Sequence, residues 1–181
     1  MKAIRTVLLS LLLFLAHGCN QQPVSPIAAL RAAAEKGDPV AQYKLASSYA
    51  HGKGVGRDEA EAVRWYRKAA ESGYARSQYR LATMYATGEG VKTDMETAAT
   101  WYRRAADQAV GNAQFRLGML YASGKGVTKD VVAAYQWLAL SKANTPESSN
   151  QLRSLEKEMT PGQIGDAQRA ADQWRTTHPR K

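Results

Sequence analysis

Residues 73–108 read GYARSQYRLATMYATGEGVKTDMETAATWYRRAADQ, and the residues on either side of this stretch repeat it. Tyr49, Tyr85 and Tyr121 stand 36 residues apart, as do Trp65, Trp101 and Trp137, and Gly54, Gly90 and Gly126. Three copies at that period, with no strand-like alternation, predict stacked helix-turn-helix units. One such unit cannot cover its own apolar face and must pack on its neighbours.

Each copy holds two helical patterns. In the first, Ala41, Leu45 and Tyr49 recur as Ser77, Leu81 and Tyr85 and again as Ala113, Leu117 and Tyr121. Four-residue spacing puts each trio on one stripe of a helix facing the core. The second pattern follows Asp94 and runs Ala98, Trp101, Tyr102, Ala105, Ala106; it makes a wider apolar face, with small alanines for close helix pairing. Between the two lies GEGV, written GKGV in the other copies, whose glycines suit the positive φ that ends a helix. Asp58, Asp94 and Asp130 then read as N-caps of the second helices, accepting from free backbone N–H groups.

The stretch AQYKLASSYAHGKGVGRDEAEAVRWYRKAAESG, residues 41–73, resembles the Sel-1-like repeat, a relative of the tetratricopeptide repeat. The resemblance covers residues 37–144. It implies an all-α fold, a right-handed α-solenoid whose first helices line a concave face, and a role in protein–protein interaction. The chain departs from the family pattern at three places. Ala46 and Ala82 stand where the family has Gly, kept only as Gly118; Ala109 replaces the joint glycines Gly37 and Gly73; Leu138 replaces the Tyr after the last Trp.

The flanks complete an elongated single domain of 181 residues, 44% of them hydrophobic. Lys2 and Arg5 precede an apolar run at residues 7–16. That pattern is a secretory signal, because the run is half the length of about 20 residues that a membrane-spanning helix needs. The run leads into LAHGC, and Cys19 is the single cysteine of the chain. This resembles the bacterial lipobox, which implies lipidation at Cys19, a mature chain beginning there, and, with Asn20 following, the periplasmic face of the outer membrane. The alternative is ordinary cleavage after Gly18 to give a soluble periplasmic or secreted protein. Residues 1–18 are thus read as a signal, 19–26 as a tether and 27–36 as an N-terminal capping helix. The repeats follow at 37–72, 73–108 and 109–144, and residues 145–181 form C-terminal capping helices. In the latter, Leu152, Leu155 and Met159 share one face, and Thr160, Pro161 and Gln163 predict a capping box with proline at the first helical position. Ile164, Ala167, Ala171 and Trp174 form the stripe of the last helix, and a frayed tail follows.

The residue inventory argues against an enzyme. His17 leaves with the signal, His51 sits at a repeat turn and His178 in the tail, so neither a metal cluster nor a histidine base is predicted, and no cofactor. The glycine loops have no Walker Lys-Ser/Thr and no preceding strand. Ser154 and Lys157 match S-x-x-K, a pattern of some β-lactam enzymes. With 11 serines and 11 lysines in 181 residues, chance supplies about 0.7 such matches, and the motif has no companion. Cysteine-rich relatives described as hydrolysing or binding β-lactams leave peptidoglycan or β-lactam chemistry as an alternative, and a purely structural envelope scaffold as another.

What remains is surface. Tyr43, Lys44 and Ser47 lie off the core stripe of their helix, and recur as Tyr79, Arg80 and Thr83 and as Phe115, Arg116 and Met119. Stacking aligns them into an aromatic ladder beside a basic one, predicted to bind a partner segment on the concave face. The formal charge of +9 falls to +7 when Lys2 and Arg5 are removed. Export disfavours nucleic acid and favours an acidic or extended segment of another envelope protein. Arg64, Arg67, Lys68, Arg103 and Arg104, on second helices, read as a solvated face.

Overall fold

A computed structural model describes residues 25–141 and 147–178. The expected signal, Cys19 and the start of the tether lie outside the described residues, as do residues 142–146 and 179–181. Among the described residues there are helices and no strand: α1 (Pro26–Glu35), α2 (Pro39–His51), α3 (Glu59–Glu71), α4 (Ala75–Thr87), α5 (Met95–Asp107), α6 (Gly111–Ser123), α7 (Val131–Ser141), α8 (Ser148–Glu156) and α9 (Pro161–Thr177). Pairs α2/α3, α4/α5 and α6/α7 are the three copies. Each helix packs chiefly on its neighbours in the chain, and α9 returns to α7. This is an all-α solenoid.

Local chemistry sets the helix ends. The Asp58 carboxylate accepts from the Glu61 N–H, that of Asp94 from Glu96 and Thr97, and that of Asp130 from Val132 and Ala133. Gly52, Gly88 and Gly124 close the first helices in the left-handed conformation. Thr160 and Gln163 form the reciprocal capping box, with the Thr160 N–H donating to Gln163 Oε1 at 2.8 Å. At the joint between the second and third copies Ala109 takes φ 60°, where Gly37 and Gly73 take 93° and 87°. The turn is therefore kept without glycine, at a conformational cost.

The core is three clusters in sequence along the array. Leu45, Leu81 and Leu117 are fully buried at equivalent places; truncating such a side chain to Ala typically costs about 2–5 kcal/mol. Tyr85 and Trp101 touch both the first and the middle cluster, and Tyr121 and Ala139 join the middle to the last. Trp65 and Trp137 are buried, whereas Trp101 is half-buried with the Arg104 guanidinium over its ring.

Two repeating polar devices bind each unit to the one before it. Gln42, Gln78 and Gln114 each donate from Nε2 to the carbonyl of Ala34, Ala70 and Ala106, at 3.1, 3.1 and 3.2 Å. Each of these carbonyls also accepts the backbone N–H of the joint residue, Gly37, Gly73 or Ala109, so the buried amide adds a second bond at the end of the preceding helix and ties it to the next unit. Arg31, Arg67 and Arg103 donate to the hydroxyls of Tyr49, Tyr85 and Tyr121. Arg67 and Arg103, expected on a solvated face, are thus bound to the repeat framework.

The loops interlock as well. A Cβ on Gly90 would lie 2.3 Å from the Glu59 carbonyl oxygen, and one on Gly126 2.2 Å from that of Met95. Each loop therefore rests on the first turn of the preceding second helix, and glycine is the residue that permits this approach.

Candidate functional site

The predicted ladder divides into two kinds of residue. Its aromatic members are half-buried packing groups: Tyr43 meets Tyr74 edge-on at 5.4 Å and Tyr66 at 5.6 Å, Tyr79 meets Tyr102 at 5.8 Å, and Phe115 packs on the last cluster. Helical spacing shows only the stripe facing the partner helix of the same copy. The rings widen that same contact, with Tyr66 and Tyr102 on the second helix of the same copy, and Tyr74 at the start of the next copy adds a further contact to Tyr43; the four-residue spacing does not reveal this width. Lys44, Arg80 and Arg116 are exposed, and Ser47, Thr83 and Met119 are half-buried.

Two cavities lie along this face. The first, about 360 Å³, is bounded by the end of α2, by α3 and by α4; the second, about 400 Å³, by the end of α4, by α5 and by α6. They are the same site one period on. Tyr66, Arg80, Thr83 and Met84 in the first correspond to Tyr102, Arg116, Met119 and Leu120 in the second. The structure thus brings Arg80 with Thr83, and Arg116 with Met119, into repeated hollows. Thr83 also lines the second, where its Oγ1 accepts from the Tyr102 hydroxyl at 3.2 Å. Burial pushes the Tyr66 and Tyr102 phenols above their ordinary pKa, opposed by hydrogen bonds to Ser47 and Thr83 respectively. Both therefore remain neutral hydroxyls at physiological pH, suited to hydrogen bonding and packing.

The remaining lining differs between the two. Glu59 and Glu89 line the first hollow, and their counterparts in the second are Met95 and Lys125. Arg57, paired with Glu59 in the first, is matched in sequence by Thr93. One hollow is charge-balanced and the other is cationic over an apolar floor. Sequence reasoning missed Glu59, Tyr66, Glu89, Met95, Tyr102 and Lys125. The unequal charges within otherwise matching copies were the available signal.

Catalytic constellations find no geometric support in these hollows. Ser154 and Lys157 are exposed at the end of α8 and line neither. Among the described residues no three of His, Cys, Asp and Glu come together to hold a metal, and no helix is long and apolar enough to cross a membrane.

A solenoid of helix pairs with repeated hollows on its first helices defines a repeat scaffold. The family model of the Sel1 repeat matches residues 39–74, 75–110 and 111–144, more than half of the chain, and the protein belongs to that family. Repeats of this family generally mediate protein–protein interaction. Among solved structures, the chain is similar to c5321, a protective antigen of uropathogenic Escherichia coli with an SLR fold. The two are 33% identical with a TM-score of 0.76, over 84% of this chain and 33% of that one. This chain therefore spans about one third of that protein's length. A Sel1 repeat protein from Oxalobacter formigenes is 38% identical, with a TM-score of 0.65 over 70% of this chain and 96% of that one. Helicobacter pylori cysteine rich protein B, at 20% identity and a TM-score of 0.55 over 71% of this chain and 98% of that one, shares the fold. No curated protein matches the chain.

Proposed function

We propose that this protein is a non-catalytic adaptor of the bacterial cell envelope that holds a segment of a partner protein across the first-helix face. The supporting observation is the pair of hollows one period apart, each with a phenol, an exposed arginine and an apolar residue at matching places. A surface built this way spreads contact over successive units, and exposed arginines at the rim steer an acidic segment into place. The charged n-region, short apolar run and lone Cys19 support export and a lipid anchor facing the periplasm from the outer membrane. Two acyl attachments hold a protein to a membrane far more firmly than a single chain does.

Reversing both rim charges, Arg80→Glu with Arg116→Glu, tests the binding face. Both side chains are exposed, so helical circular dichroism and melting should stay near wild type while capture of the envelope partner is lost. Normal capture by the folded double variant would move the site elsewhere. For the anchor, Cys19→Ser should release the protein from membranes, and a wild-type protein already soluble would contradict the lipid attachment.

A further inference from the structure

The two hollows are not interchangeable, and their difference specifies the chemistry of what enters the second. Resting on the partner-binding reading above, we propose that the hollow between α4, α5 and α6 takes an apolar side chain flanked by an acidic residue in an extended segment of the partner. The first hollow, with its charges balanced, leaves that residue pair unselected.

The floor of the second hollow is Met95, Met119 and Leu120, with the buried Tyr102 ring behind them. Methionines adapt to irregular apolar shapes, and Met95 and Met119 stand where the first hollow has Glu59 and Thr83. Above the floor, Arg116 and Lys125 are exposed, and neither takes part in an ion pair among the described residues. An apolar side chain on that floor puts a neighbouring carboxylate beside two cations, the charge complementarity that selects an acidic ligand and rejects a basic one. In the first hollow Glu59 is already paired with Arg57, and Glu89 offsets Arg80. There the same carboxylate meets one cation and one like charge.

The natural sequence differences between the copies supply the test. Met95→Glu with Lys125→Glu gives the second hollow the two carboxylates of the first; Glu59→Met with Glu89→Lys removes them from the first and adds a cation there. The probes are short dye-labelled peptides of alternating Leu and Glu, alternating Leu and Lys, and alternating Ser and Glu, read by fluorescence anisotropy. The expected result is one Leu/Glu peptide bound per chain, weakened about tenfold by the first swap and by raised salt, with a second site created by the reverse swap. Lys125→Glu alone, in an exposed loop, gives the same direction if the double variant folds poorly. No binding of the Leu/Glu probe, equal binding of the Leu/Lys or Ser/Glu probe, or unchanged affinity in a folded swap variant overturns the proposal. Displacement of the peptide by laurate with equal affinity overturns it in favour of a lipid carboxylate. If the swaps change nothing while Arg80→Glu with Arg116→Glu still abolishes partner capture, the charge rule fails and the binding face stands.

Discussion

The same motif, glycine-x-glycine-valine, should respond very differently to one substitution in its first and second copies. Gly54 and Gly90 have φ of 74° and 67°, so alanine at either carries the strain of the left-handed region, about 1–2 kcal/mol. The lower entropy of alanine in the unfolded chain returns about 0.4–1 kcal/mol, leaving a net loss near 0.5–1 kcal/mol from conformation alone. Space separates the two. The new Cβ at Gly54 meets only the Ile27 Cβ at 3.8 Å, an ordinary contact, but at Gly90 it lies 2.3 Å from the Glu59 carbonyl oxygen. That oxygen belongs to the first turn of α3, so relief requires the loop and α3 to separate, an overpacking penalty of about 1–3 kcal/mol. Gly54→Ala should then cost about 0.5–1 kcal/mol and Gly90→Ala about 2–4. For a chain of this size the second corresponds to a fall in Tm of roughly 6 °C or more. Far-UV circular dichroism melts measure both. Gly37→Ala and Gly73→Ala, left-handed positions with nothing within 4 Å of the new Cβ, calibrate the conformational part at an end and at an internal joint. Equal shifts for Gly54→Ala and Gly90→Ala would refute the interlocking of each loop with the preceding unit.

Further expectations follow from single residues. Ala109→Gly removes the left-handed alanine at the last joint and should stabilise the protein by about 0.5–1 kcal/mol, read as a rise in chemical-denaturation midpoint; a fall would show that Ala109 is unstrained. Asp94 is held below the usual carboxylate range by the backbone and side-chain hydrogen bonds of Thr97. The stability it contributes is fully present above about pH 3.9 and is lost as pH falls through its lower folded value. Asp94→Asn should flatten the pH dependence of Tm below that point, and an unchanged acid limb would remove Asp94 from the account.

The fold was legible in this chain where the determining chemistry is local or periodic. The 36-residue spacing, the aspartate caps and the Thr160–Gln163 capping box depend on residues near in sequence or at matching places. Contacts between units were not legible. The Gln42, Gln78 and Gln114 amides and the Arg–Tyr bonds repeat with the period, but their partners lie on another helix and no spacing within one helix points to them. One departure from the family pattern goes with a residue that keeps it: a Cβ at Gly118 would come 2.8 Å from Leu138 Cγ, so the retained glycine and the leucine that replaces tyrosine fit each other. The candidate site was half legible. Arg80, Thr83, Arg116 and Met119 were found from alignment of the copies, but Met95 and Lys125, on a second helix and a loop, join them only through the stacking.

The central claim is that a partner occupies the first-helix face, and site-specific photocrosslinking in the native envelope tests it most directly. Ser123 is exposed and lines the second hollow, whereas Arg64 is exposed on α3 and lines neither. A photoreactive residue at 123 should form a discrete adduct whose mass spectrum maps to an acidic, apolar-containing segment of one envelope protein, and the same residue at 64 should form none. An adduct at 64 with none at 123 would contradict the account.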